Sequence, residues 1–244
     1  MKSTKPAIEE LEDARPASTP LLTDGKLAHG ANEDAALALL ARNVATAEIL
    51  EALADHPTLM KSRKVRLSLA SHPDAPRHLS LRLLRQFYTF DLMQFALKPG
   101  VAADLKHVAD ELLVARLDSI TAGERFTLAR RGSGAIAAAL LRDKESRVFH
   151  AALDNGRLTE ALVVKTLVHP EAKAGFVDAI CGHSKWSLRR EVQMGLLRNP
   201  HTRQSRIREI ARKLPSAILR DLLHSSRLPE KNKVLLRQQL KEQS

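Results

Sequence analysis

Apolar positions recur at helical spacing along this chain from Asn32 almost to the C-terminus. Leucines separated by three or four residues, as around Leu79, Leu83 and Leu84, place an apolar stripe on one face of a helix. No segment alternates apolar and polar residues with the β-branched content of a strand. The pattern therefore predicts successive amphipathic helices and no sheet.

A second pattern interrupts the helices at irregular intervals. Two or three apolar or small residues are followed by a polar residue and then by proline or glycine, which end a helix. An additional break, His169-Pro170, falls in the longest interval. The period of roughly 25–40 residues is typical of helix pairs stacked side by side. The breaks are Leu69–Pro73, Phe95–Pro99, Leu128–Gly132, Ala152–Gly156 and Leu196–Pro200.

Residues that favour helix N-termini support the same division of the chain. Asn32 precedes Glu33 and Asp34, and Thr121 with Glu124 matches a capping box, so both positions predict a helix start. We predict the remaining N-caps at Thr46, Ser133, Thr159, Ser184 and Thr202.

Residues 1–32 differ from the rest because they are rich in Pro, Ser, Thr, Gly and charged residues. Such a segment buries too little apolar surface to offset its ordering entropy. We predict a flexible, disordered tail over 1–32, with at most one helical turn at Ala7–Leu11, and a helical repeat domain over 33–244.

Two of the breaks resemble a known repeat. Leu69–Pro76 and Leu197–Thr202 are similar to the unit of bacterial leucine-rich repeat variant proteins, which is itself similar to the HEAT repeat. The resemblance covers roughly residues 35–225 and implies a right-handed α-solenoid. It also implies ladders of Asp and Arg between repeats, for which Arg66 fits; near Asp143, Phe149 stands where arginine is expected. Some proteins of this group hold an iron–sulfur cluster through cysteines that this chain lacks.

Composition narrows the class further. Aromatic residues make up 3% of the chain, so the core must consist of Leu, Ala, Val and Ile, which agrees with an all-α fold. Cys181 is the one cysteine, so neither an internal disulfide nor a thiolate metal cluster is expected, and a reducing compartment fits. We find no signal peptide and no apolar run of about 18 residues, and expect a cytoplasmic protein without a membrane span or cofactor.

The charge is unevenly distributed along the chain. The net charge is +11, but residues 1–34 carry −3, while residues 182–244 hold fifteen Lys and Arg against five Asp and Glu. An excess of +10 in the last quarter predicts an acidic partner, which is a nucleic acid, an anionic membrane surface or an acidic protein.

The basic residues most suited to such a partner surround a predicted helix at Thr202–Leu214. Its apolar stripe predicts that Arg203, Arg206 and Lys213 lie on one side, with Arg208 and Arg212 further round the other. A solvated helix surface explains these positions as readily as a phosphate-contacting edge does. The candidate partner-binding residues are Lys185, Arg189, Arg190, Arg198, Arg203, Arg206, Arg208, Arg212 and Lys213. A shorter basic run covers 61–64.

Enzymatic motifs are missing from the sequence. No phosphate-binding loop, zinc-binding histidine pair at one-turn spacing or nucleophile elbow occurs, and Gly132-Ser133-Gly134 favours a turn. The histidines before proline favour a capping role, and Cys181-Gly182-His183 is a weak candidate for a nucleophile with its base. The aromatic residues over 87–95 favour a packed junction over base stacking.

One enzymatic resemblance stays open. Trp186-Ser187-Leu188-Arg189-Arg190 is similar to the Trp…Arg-Arg helix start of alkylpurine DNA glycosylases, but one Trp and no assignable catalytic Asp are present. We therefore predict a non-enzymatic interaction module that binds an acidic protein through its basic C-terminal surface, with no catalytic or metal-binding residues. The alternative is a DNA-binding solenoid that resembles those glycosylases.

Overall fold

The structure is a computed structural model that describes residues 22–23, 26–27, 32–42, 45–224 and 228–242. Most of the predicted tail, including the predicted helical turn at Ala7–Leu11, lies outside these residues. Within the tail, Leu22–Thr23 (β1) pairs antiparallel with Lys26–Leu27 (β2), so the prediction of no sheet is wrong at this one place. A two-residue pairing is too short for sequence alternation to reveal.

The rest of the described chain is helical and divides into two compact units, Met1–Gln86 and Phe87–Ser244. The first unit contains four α-helices and a 3-10 turn at Leu59–Lys61 among its described residues. Helix α3 contacts α1, α2 and α4 and buries Val65 and Leu69 completely. The helices are α1 (Glu33–Ala41), α2 (Ala47–Ala54), α3 (Arg63–Ala70) and α4 (Arg77–Arg85).

The second unit contains the predicted functional residues. Its helices are α5 (Thr89–Leu97), α6 (Ala103–Arg116), α7 (Ala122–Arg131), α8 (Gly134–Leu140), α9 (Ser146–Leu153), α10 (Glu160–Leu167), α11 (Ala174–Gly182), α12 (Arg190–Arg198), α13 (Gln204–Arg212), α14 (Ser216–His224) and α15 (Glu230–Glu242). Alternate helices contact each other: α6 with α8, α8 with α10, and α10 with α12. A second set includes α7 with α9, α9 with α11, and α13 with α15.

The predicted breaks coincide with helix ends. Each helix before a break ends one to three residues ahead of its proline or glycine. At Pro99, the left-handed backbone falls on the next residue, Gly100, at φ 79°, where a side chain is disfavoured. Gly134 begins α8 so close to the following repeat that an added Cβ would lie 2.5 Å from the carbonyl oxygen of Arg157.

The predicted N-caps are confirmed in part. The side chains of Asn32 and Ser133 accept backbone N–H groups, and Thr121 with Glu124 forms the full capping box. Thr46 and Thr159 stand at N-cap positions without a side-chain cap bond.

Two N-cap predictions are wrong. Thr202 precedes the true cap Arg203, because its hydroxyl donates instead to the Leu196 carbonyl at the end of α12, over 2.6 Å. Ser184 lies in a turn that buries Trp186, and α12 begins only at Arg190, with Arg189 as its cap.

A recurring side-chain bridge fixes each turn to the helix end one repeat earlier. Asn155, 2% exposed, accepts the Arg157 N–H on Oδ1 and donates from Nδ2 to the Ala129 carbonyl, both over short distances of 2.8 and 2.7 Å. Asn199 repeats this arrangement with the N–H of His201 and the carbonyl of Leu167. These amides satisfy buried backbone groups that would otherwise be unpaired.

Histidines fill the same position in other turns. The Nδ1 atoms of His72 and His169 accept the backbone N–H two residues further on, so the predicted capping role is confirmed for these two. The third histidine before proline, His56, contacts the Thr58 hydroxyl instead. His183, which does not precede proline, accepts the Lys185 N–H in the same way. The His183 Nε2 atom lies 3.2 Å from an Asp154 carboxylate oxygen, one repeat earlier. Asn155, Asn199 and His183 are therefore connectors with one partner in their own turn and one a repeat earlier.

No helix within the described ranges combines the length and the apolar character that crossing a membrane requires.

Candidate functional site

Three of the nine predicted partner-binding residues are already paired with carboxylates. Arg203 lies 2.7 Å from Asp178, while Arg206 and Lys213 both bind Glu209, at 2.5 and 3.0 Å. Hydrogen bonds from Lys213 and then Arg206 hold the pKa of Glu209 below its usual value. The predicted common side of α13 is confirmed, but its positive charge is largely offset there.

Arg206 also fixes the turn before α12. Its Nη2 atom donates to the Ser187 carbonyl over 3.3 Å, and its Nε atom is buried without a partner. The Arg206 side chain therefore links α13 to the turn over 183–189. Because it is largely buried, less of its charge faces solvent than the sequence suggests.

Four of the nine residues are exposed and form no ion pair within the described part of the chain. Arg208 and Arg212 are four residues apart on α13, so their side chains are neighbours on one helix face. Arg189 and Arg190 stand at the start of α12. These four arginines are the cations best placed to meet a partner.

Lys185 and Trp186 form a local pair. The Lys185 ammonium lies 4.0 Å from the centre of the indole ring. Trp186 is 1% exposed and its Nε1 atom donates to the Leu153 carbonyl over 2.8 Å. The ring is thus a core element, and it offers no open face for stacking on a nucleobase.

The candidate thiol–imidazole pair does not form. Burial raises the pKa of the half-buried Cys181 thiol, the largest of several influences on it. His183 is engaged through Nδ1 with the backbone of Lys185 and through Nε2 with Asp154. No hydrogen bond joins the two side chains among the described residues.

Arg198, the ninth residue, lies away from the others at the C-terminal end of α12. It lines a cavity of about 290 Å³ between the end of α10 and the turn after α12. Its guanidinium is partly buried, its Nε atom has no hydrogen-bond partner, and it forms no ion pair with any described residue. The lining consists of Leu167, Val168, His169, Pro170, Ala172, Arg198, Asn199, Pro200 and His201.

A second cavity of about 230 Å³ adjoins the first at His169 and lies between α8 and α10. Arg142 and Lys165 line it together with alanines of α8 and with Thr166. Neither of these two linings contains an Asp or Glu among the described residues. The full charges in the two linings are therefore positive, and Glu171, outside both linings, lies 3.1 Å from Arg142.

Arg142 connects this basic region to a third, more polar cavity of about 420 Å³. There the buried Arg125 donates from Nε to Asp143 over 2.7 Å, and Glu145 lies 3.7 Å from its Nη2 atom. Asp143 thus forms an Asp–Arg pair of the kind the HEAT resemblance implies, but with Arg125. Arg66, which fitted that role, has an unpartnered Nε and no ion pair within the described residues.

The aromatic residues over 87–95 and the basic run over 61–64 take part mainly in packing and helix capping. Phe87 and Phe95 are buried and meet edge to face with ring centres 6.2 Å apart, whereas Tyr88 is exposed. Ser62, in the basic run over 61–64, caps α3 by accepting the Val65 N–H. Within the described residues, no group of three or more His, Cys, Asp or Glu side chains is placed to hold a metal ion.

No family model, no curated protein and no solved structure matches this chain. What its basic surfaces bind must therefore be inferred from their own side chains.

Proposed function

We propose that this protein is a non-enzymatic interaction module that binds an acidic protein partner through its basic C-terminal part. The observation that carries the proposal is the set of four exposed arginines, Arg189, Arg190, Arg208 and Arg212, without carboxylate partners among the described residues. Exposed, unpaired cations raise the association rate with an acidic surface and give it specificity. A reducing, cytoplasmic location, expected from the single cysteine, belongs to the same proposal.

The scaffold we propose for residues 87–244 is a right-handed α-solenoid of HEAT-like helix pairs. Contacts between alternate helices and the recurring Asn and His connectors support it, because stacked repeats contact mainly their neighbours. The extension of one such repeat domain over 33–244 stays a prediction. Solenoids of this kind use extended surfaces for binding, and the low aromatic content favours a protein over a single-stranded nucleic acid.

A double variant tests the proposal directly. Arg208→Glu with Arg212→Glu should abolish binding of a short fluorescein-labelled peptide of Asp, Glu and Gly, measured by anisotropy. The matched control, Lys61→Glu with Lys64→Glu, changes the net charge equally at exposed positions near the start of α3. Loss of binding in both double variants would mean that net charge alone is responsible, and it would overturn the proposal.

Duplex DNA is the second probe, for the alternative of a DNA-binding solenoid. If several phosphates are contacted, DNA affinity should fall by orders of magnitude between about 50 and 200 mM salt. DNA binding that exceeds peptide binding and depends on Arg208 and Arg212 would favour that alternative. Because Trp186 is buried, it offers no ring for base stacking, which weakens the resemblance to alkylpurine DNA glycosylases.

A further inference from the structure

The cavities beside His169 combine several cations with a connector that lacks its usual second partner. At the equivalent positions, the Nδ2 atoms of Asn155 and Asn199 donate to a carbonyl one repeat earlier. At His169, Nδ1 accepts the Glu171 N–H, so the hydrogen of a neutral ring sits on Nε2. Arg142 Nη1 lies 3.5 Å from Nδ1 and 3.4 Å from Nε2 of that ring, so the contact of His169 one repeat earlier is with a cation and not with a carbonyl.

The cations in these cavities have few carboxylate partners, since Arg142 is paired only with Glu171, over 3.1 Å, among the described residues. Arg198 lies across the neighbouring cavity, and its partly buried guanidinium has no ion pair among the described residues. Lys165 adds a third full positive charge from α10. The opposing negative charge comes from Glu171, which pairs with Arg142, and from the C-terminal ends of α8, α10 and α12, with roughly half a charge each in the last turn. Its sum stays below the three full positive charges.

The donors approach from three elements, which favours a tetrahedral oxyanion over a planar carboxylate. Arg142 follows α8, His169 follows α10 and Arg198 ends α12. A phosphate presents oxygens in several directions and accepts the forked donors of arginine well. The apolar wall of Leu167, Val168 and Pro170 gives an attached organic group a surface to lie on.

We propose that these adjoining cavities bind the phosphate of a small phosphomonoester, with Arg142, His169 and Arg198 as the binding residues. The 290 Å³ cavity is at the lower end of the range for small-molecule sites, which is about 300–1,000 Å³. This site uses side chains other than the four exposed arginines, so it goes beyond the proposed function and can fail independently of it.

Calorimetric titration of the full chain with inorganic phosphate and with phenyl phosphate tests the site. Phenyl phosphate should bind more tightly than inorganic phosphate, because its ring covers the apolar wall. Arg198→Gln and Arg142→Gln should each weaken binding about tenfold, the loss expected for a hydrogen bond to a charged group. The matched control Arg130→Gln removes an exposed arginine of α7 outside both linings and should leave affinity unchanged.

A fourth variant separates a binding role from a purely structural one. Glu171 lies 3.1 Å from Arg142 and is 77% exposed, so it competes with an incoming phosphate. Glu171→Gln should therefore tighten phosphate binding severalfold. Equal losses in Arg198→Gln and Arg130→Gln, binding of acetate as tight as phosphate, or no effect of Arg198→Gln would each overturn the proposal.

Discussion

Arg125 and Arg198 are both shielded from solvent at the edge of a cavity, but their surroundings differ in charge. Arg125 donates to Asp143, to the Ile120 carbonyl and approaches Glu145, so its charge is compensated within the fold. Arg198 has two histidines and a wall of apolar residues around it and forms no ion pair with a described residue. An arginine with carboxylates is part of the architecture, whereas an arginine without them is available to a ligand.

The largest expected effect concerns the compensated arginine. Arg125→Met should lower the free energy of unfolding by about 3–5 kcal/mol, because Asp143, 6% exposed, is left as a buried charge without its partner. Urea denaturation of the purified protein measures the loss. The control Arg147→Met removes an exposed partner of Glu145 and should cost less than about 1 kcal/mol. Similar losses in both variants would contradict the distinction between the two environments.

The next prediction concerns the turns near Arg125 and Arg198, which are held by equivalent asparagine side chains. Asn155→Ala and Asn199→Ala should each lower the free energy of unfolding by about 2 kcal/mol, since each leaves buried backbone groups without partners. Equal losses would show that Arg125 and Arg198 differ in charge environment and not in the stability of the turns beside them. A loss at Asn199 below half of that at Asn155 would mean that the region around Arg198 is packed more loosely.

The sequence predicted the helical class and most helix ends, because Pro, Gly and capping residues act within a few positions of the chain. It also placed Ile207, Ile210 and Ala211 correctly on the buried face of α13, since helical periodicity is local. It could not reveal that Asp178 neutralises Arg203, because that pair joins residues 25 positions apart. The bridges from Asn155 and Asn199 to carbonyls one repeat earlier were not predicted for the same reason, although the sequence shows both residues directly before a break.

At the candidate site, counting charges along the sequence also missed contacts between residues that are far apart in the chain. All nine residues contributed equally to the excess of +10 over residues 182–244, yet pairing removes three of them from the available surface and burial separates Arg198 from the rest. Arg142 and Lys165 were not among the candidates, because their sequence neighbours carry no recognisable motif. His169 was recognised only as a capping residue before Pro170. Only the stacking of α8, α10 and α12 brings them to adjoining cavities.

The smallest expected effect concerns the uncompensated arginine. Arg198→Met should change the free energy of unfolding by no more than about 0.5 kcal/mol in phosphate-free buffer, because no ion pair within the described residues is lost and the apolar stem is retained. In phenyl phosphate at about ten times its dissociation constant, the unsubstituted protein should gain about 1.4 kcal/mol by mass action, and Arg198→Met should gain much less. Parallel urea titrations with and without the ligand measure both quantities, and Arg130→Met, with its arginine outside the two cavities, should retain the full gain. A loss of several kcal/mol in ligand-free Arg198→Met would mean that this arginine is structural like Arg125, and the contrast between the two would disappear.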